Sequence, residues 1–125
     1  MWDAALERLT GIPADAARGR PLVELIPRLE ERRLLGRFRR VIAEGVVEVL
    51  APAFHQYLIP CPPAAPSEHF ERMQQRVTIA PLREEGRISG ALVTVEDVTA
   101  RVERERALSE QIAHASEDVR LSAAR

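Results

Sequence analysis

Residues Ile88–Arg106, ISGALVTVEDVTARVERER, decide how this chain is read. β-Branched and apolar residues dominate Ile88-Ser89-Gly90-Ala91-Leu92-Val93-Thr94-Val95, the composition of a strand. Glu96-Asp97-Val98-Thr99 then leads into Ala100-Arg101-Val102-Glu103, with Thr99 offering a side-chain oxygen as a helix cap. Neither Gly nor Pro separates the two elements. A change in the packing of the strand would therefore reach the helix directly.

Working back from this stretch, Arg83-Glu84-Glu85-Gly86-Arg87 reads as a hairpin turn in which Gly86 supplies positive φ. Before it, residues 69–82 read as a strand, with Met73, Gln75, Val77 and Ile79 alternating against Arg72, Gln74, Arg76 and Thr78. Pro60-Cys61-Pro62-Pro63-Ala64-Ala65-Pro66-Ser67 can hold neither helix nor central strand, and is expected to lie as a loop over a face of the domain. Val46–Leu50 predicts a further strand, broken near Pro52 and continued past a bend by Phe54–Ile59. The middle of the chain thus predicts three antiparallel strands.

The front of the chain is helical. Trp2–Leu9 places Trp2, Ala5, Leu6 and Leu9 on one face, and Thr10-Gly11-Ile12-Pro13 stops it. A short turn follows over Ala14–Ala17, and Pro21 opens a segment Leu22–Ile26 that closes at Pro27. Arg28–Glu44 predicts a long helix with a stripe of Leu34, Leu35, Phe38, Val41 and Ile42, ended by Gly45. Glu30, Glu31, Arg32, Arg33, Arg37 and Arg40 are expected to face water.

Behind Val98 and Val102, residues Leu108, Ile112 and Ala115 extend an apolar stripe along the last helix, enough for a partner-facing surface and too short for an independent coiled coil. A new helix is expected to start at Ser116, with Glu117 and Asp118 in its first turn.

With 125 residues, 46% apolar and 30% charged, the chain has the size of one small domain with an appendage. Its formal net charge of −1 sets up no global field toward nucleic acid or anionic lipid, so neither is an expected partner. All 18 basic residues are Arg. The Arg face of the 28–40 segment (Arg28, Arg32, Arg33, Arg37, Arg39, Arg40) is interrupted by Glu30 and Glu31 and has no interleaved aromatic for base stacking, which favours an ion-paired surface. Cys61 is the single cysteine, so no disulfide framework is expected. Without a run of ~20 apolar residues or a basic-then-apolar leader, the expected location is cytoplasmic.

Short helices, a longer helix, three strands and an acid-apolar-Thr step into a final helix give the chain an α+β order that resembles a PAS domain, a sensor module of two-component and related signalling proteins. The resemblance rests on Ala4-Ala5-Leu6-Glu7-Arg8-Leu9-Thr10-Gly11, on Gly19-Arg20-Pro21-Leu22 followed by Leu25-Ile26-Pro27, on Ile88-Ser89-Gly90 and on Asp97-Val98-Thr99, and spans residues 2–106. It implies a PAS-like sensor domain over 1–99, a signalling helix over 100–125 and a regulatory role; catalysis is not expected, since the residues show no Gly-rich phosphate loop, no nucleophile elbow and no Ser or Cys with a recognisable base. Asp97, Val98 and Thr99 are then the transmission residues, with Asp97 pairing to a basic group of the helix or a nearby loop. The family usually begins with two strands ahead of the first helix; here the sequence opens at Trp2-Asp3, which leaves an open sheet edge that a homodimer would cover. Ser116–Arg125 also looks like the opening helix of a HEAT-like repeat, which fits an effector domain in the same or a partner protein.

A PAS fold often holds a small molecule between sheet and helices. That makes Leu25, Ile26, Phe38, Ile42, Val47, Val49, Met73, Val77, Ile79, Leu92 and Thr94 candidate lining residues, although any core of this size needs the same kinds of side chain. His55 beside Tyr57 is the best-placed polar ligand contact. No flavin-type Asn-Cys-Arg motif surrounds Cys61, no axial His lies on the 28–44 segment, and His55, His69 and His114 lack metal-ligand spacing, so the cofactor stays unassigned. Glu30-Glu31, Glu84-Glu85 and Glu96-Asp97 are adjacent carboxylates that point to different faces and cannot share a substrate. The competing expectation is a dimerisation scaffold that binds no ligand.

Overall fold

The turn Glu85-Gly86 sets the sheet in a computed structural model of the chain, which describes residues 2–26 and 28–123, and over 114–123 the backbone alone. Both turn residues have positive φ, 50° and 78°, the pattern whose twist suits a two-residue hairpin. It joins β2 (Gln75–Glu84) to β3 (Arg87–Asp97), starting from the pair Glu84↔Arg87, with one irregularity between Leu82 and Arg83. The short β1 (Glu48–Leu50) pairs antiparallel with β2 from Glu48↔Ile79 to Leu50↔Val77. The sheet order is β1-β2-β3, which leaves β3 on an edge. Pro81 is tolerated in β2 because β1 does not extend that far, so its missing N–H costs no ladder bond on that side.

Pairing fixes which residues face the core. Val77 opposes Val95 and Ile79 opposes Val93, and Val77, Ile79 and Leu50 are fully buried. The odd-numbered residues of β3 therefore face inward. Leu92 and Thr94, expected to line a pocket, belong to the other face, and Leu92 is 57% exposed. Val49 points outward for the same reason.

Four helices precede or cover this face: α1 (Ala4–Thr10), α2 (Ala14–Ala17), α3 (Leu22–Leu25) and α4 (Leu35–Glu44). α1 begins two residues later than its sequence suggests because Asp3 caps it, accepting the Leu6 N–H at 2.9 Å. Trp2 stays outside the helix and donates its indole N–H to the Ile12 carbonyl at 2.9 Å. Gly11 and Gly45 close α1 and α4 in the left-handed region, as expected.

The long helix expected over 28–44 is shorter. Arg28 and Arg33 both have φ of 60°, and Leu34 N–H reaches the Leu29 carbonyl, so residues 28–33 form turns that bury Leu29 rather than extend the helix. Arg32 does not face water. It turns inward to donate to the carbonyls of Tyr57 and Leu58. Phe38 and Val41 of α4 are buried toward the sheet, whereas Ile42 is 46% exposed.

The strand expected over 54–59 is absent. Pro52–Phe54 is a single 3₁₀ turn closed by His55 at φ 56°. Leu58 and Ile59 enter the core as irregular chain, and Gln75 supplies the ladder they lack. Its side-chain Oε1 accepts the N–H groups of Leu58 and Ile59, and its Nε2 donates to the Ile59 carbonyl at 2.6 Å. This explains how a glutamine can be fully buried on the apolar face of β2.

α5 (Thr99–Ala123) follows β3 and is unbroken, with no new start at Ser116. The HEAT-like side-chain positions of 116–125 lie outside the residues whose side chains are described. Gln75→Leu keeps the volume of the site but leaves two N–H groups and a carbonyl unpaired in the core. We expect a loss of roughly 3 kcal/mol or more, read as a lower urea midpoint without a change of slope.

Candidate functional site

Asp97 ends β3 and organises the exit. Its Oδ1 accepts both the Thr99 N–H at 3.0 Å and the Thr99 hydroxyl at 2.7 Å, and its Oδ2 accepts the Ala64 N–H at 3.2 Å. The carboxylate therefore serves the first turn of α5, a role the sequence assigned to Thr99, and pairs with loop backbone instead of a basic group. The Thr99 hydroxyl in turn accepts the Gln74 N–H at 2.9 Å, while the Val98 N–H donates to the Gln74 carbonyl at 2.8 Å. Val98 and Thr99 are both buried. All three expected transmission residues meet at one point.

The proline-rich loop closes over the same joint. Beyond the Ala64 contact, the Ser67 hydroxyl donates to Glu103 Oε1 on α5, the Phe70 N–H donates to Ser67 Oγ at 3.0 Å, and the Arg106 guanidinium stands 5.9 Å from the Phe70 ring centre. Burial works to raise the Asp97 pKa, but the hydrogen bonds from Thr99 and Ala64 outweigh it and hold the carboxyl below its ordinary value. The Ser67 hydroxyl holds Glu103 below its ordinary value as well.

Behind β3, the open edge leaves a cleft of about 730 Å³. Its floor is the inner face and edge of β3 over Ala91–Val95; Trp2, Leu6 and Leu9 form one wall, and Ala17, Leu22 and Ile26 another. Phe38, Leu58 and Ile59 close the end. The lining is largely apolar, with Asp3 and Arg18 contributing charge.

Of the expected pocket residues, Ile26 and Phe38 line this cleft, and Leu92 and Thr94 reach it along the strand edge. Leu25, Val77 and Ile79 are packed in the core, and Ile42, Val47 and Val49 are exposed. His55, Tyr57 and Met73 instead meet at a separate cavity of about 140 Å³ near the root of α5. The residues missed include Trp2, Leu6, Leu9, Ala17, Leu22, Leu58 and Ile59, and Ala91, Val93 and Val95; a plain count of pairs back from the Glu85-Gly86 turn would set Leu92 and Thr94 opposite Ile79 and Val77, and only the irregularity between Leu82 and Arg83 brings Val93 and Val95 there.

Cys61 is half-buried with its Sγ 3.9 Å from Met73 Sδ, and burial pushes its thiol up. Among the described residues no group of three His, Cys, Asp or Glu side chains is placed to hold a metal ion. Among them, too, no helix is long and apolar enough to cross a membrane.

An antiparallel sheet covered by short helices, with a cleft behind its edge strand and a helix leaving from that strand, is a PAS-like α+β arrangement. The family model described as PAS fold matches residues 2–103, and the chain belongs to that family. A comparison with curated proteins gives no match.

The depressed Asp97 pKa fixes a sign. Unfolded chains take up the proton first as pH falls, so the stability contributed by Asp97 is present above the ordinary carboxylate value of about 4 and is lost below it. Asp97→Asn should lower the urea midpoint at pH 7, through the loss of about 1 kcal/mol of capping energy, and flatten the further fall in midpoint expected of the native sequence below about pH 4.

Proposed function

We propose that this PAS domain is a non-enzymatic sensor that takes a ligand or partner segment in the cleft behind β3 and transmits its presence through Asp97-Val98-Thr99 to α5. One observation carries the reading. The cleft floor, Ala91–Val95, runs on through the end of β3 to the helix root, with Val98 alone between strand and helix and its N–H bonded to the Gln74 carbonyl. A small molecule with an apolar body and one polar group suits a lining in which Asp3 and Arg18 are the charged members.

The working form in this reading is a homodimer, and the effector lies in the same or a partner protein. Support comes from α5, where Leu108 and Ile112 are 57% and 59% exposed on one side, four residues apart. Two such helices, side by side, would cover each other's stripe. The same feature favours the second reading, a dimerisation scaffold with an empty cleft. Native mass spectrometry separates the two: mass retained beyond the protein supports the sensor, and a bare dimer supports the scaffold.

The dimer itself has a simple check. In sedimentation at micromolar concentration the native sequence should run as a dimer, and the double substitution Leu108→Glu, Ile112→Glu should run as a monomer with unchanged far-ultraviolet circular dichroism. A monomeric native chain removes the dimer from the proposal.

A further inference from the structure

The small cavity beside the root of α5 has a chemistry that the main cleft lacks. Tyr57 forms one wall, with the Arg32 guanidinium 3.7 Å and the Arg72 guanidinium 3.9 Å from its ring centre. Two cations cannot occupy one face of a ring at such distances, so they stack on opposite faces. Arg32 spends its donors on the carbonyls of Tyr57 and Leu58, which pins the ring. Among the described residues neither Arg32 nor Arg72 has a carboxylate as ion-pair partner, although Arg28, Arg37 and Arg40 nearby in the chain all do.

Arg72 is exposed and faces the cavity, together with His55 and Gln56. His55 is held at φ 56°, a conformation that a non-glycine residue adopts infrequently. Gln56 uses its Oε1 to accept the Ala51 N–H, which leaves its amide N–H₂ as a donor. None of the lining residues is acidic. In a chain of net charge −1, this is a local concentration of donors with no anion to meet them.

We infer that this cavity binds a small oxyanion, a phosphate or a carboxylate, held by Arg72, His55 and Gln56 against the Tyr57 ring. A volume of about 140 Å³ admits a group of that size. Arg supplies the paired N–H donors that match two oxygens of either anion.

The site touches the output element by a different route from the main cleft. Gln74, which lines it, holds Val98 and Thr99 through its main chain, and Phe70, also in the lining, lies beneath Arg106 of α5. Binding here would brace the root of the helix. This coupling rests on the sensory reading above; the binding does not.

The test is calorimetric titration of the full chain with sodium phosphate, with sodium succinate and, at matched ionic strength, with sodium chloride. Saturable binding is expected for phosphate or succinate and none for chloride, and the anion that binds identifies the source. Arg72→Gln and His55→Asn, the latter a residue that tolerates positive φ, should each weaken binding by roughly tenfold or more. Arg87→Gln, at the far hairpin, should leave it unchanged. Absence of saturation with both anions overturns the inference, as does equal binding by Arg72→Gln and the native chain. Binding without any response of the Val98 and Thr99 amide resonances overturns the coupling alone.

Discussion

The structure depends on one continuity: the hydrogen-bond ladder between β2 and β3 does not stop where the strand stops. Gln75↔Asp97 is the last strand pair, and Gln74 carries the pattern on by accepting from the Val98 N–H and donating to the Thr99 hydroxyl. The first turn of α5 is thereby bonded to the sheet as another strand would be. Backbone groups at a helix start normally look to side chains or water. Here Asp97 satisfies one of them and the sheet fixes the direction in which the rest point.

This constraint gives the other features their meaning. The cleft lies on the face of β3 whose end is welded to the helix, and the proline-rich loop reaches the same joint through Ala64 and Ser67. A prolines-rich segment loses less conformational freedom on docking than an ordinary loop, so a few hydrogen bonds hold it. Gln75 performs the matching task inside, giving an irregular Leu58-Ile59 segment a set of partners that a strand would have supplied. Neighbouring glutamines thus act in different ways, Gln75 through its side chain in the core and Gln74 through its main chain at the exit.

Much of the order was legible in the residues. Glycine at the ends of α1 and α4, the acidic-glycine turn, and the β-branched run into a charged helix are local signals, decided within a few residues. The family likeness drawn from them agrees with the match over residues 2–103. What failed was decided at a distance. Residues 28–33 have helical spacing, yet Arg32 is drawn to carbonyls 25 and 26 residues away, and the chain takes two positive φ values to let it. Phe54–Ile59 has strand composition, but the partner it finds is a side chain. Leu92 and Thr94 reach the cleft only from the strand edge, because the register shift between Leu82 and Arg83 puts Val93 and Val95, not Leu92 and Thr94, opposite Ile79 and Val77; no residue in the sequence marks that irregularity. His55 and Tyr57 were singled out together and do meet, but at a cavity whose third member, Arg72, nothing local could have brought to them.

The central claim is that sheet and helix form one mechanical unit at Gln74, Val98 and Thr99. Amide hydrogen exchange of the whole chain, resolved residue by residue by nuclear magnetic resonance, tests it directly. The account predicts that the Gln74 and Val98 amides exchange as slowly as those of the central strand β2, and open with it. Exchange of these two amides at the rate of the free chain, while β2 stays protected, would show a hinge at the joint and contradict the account.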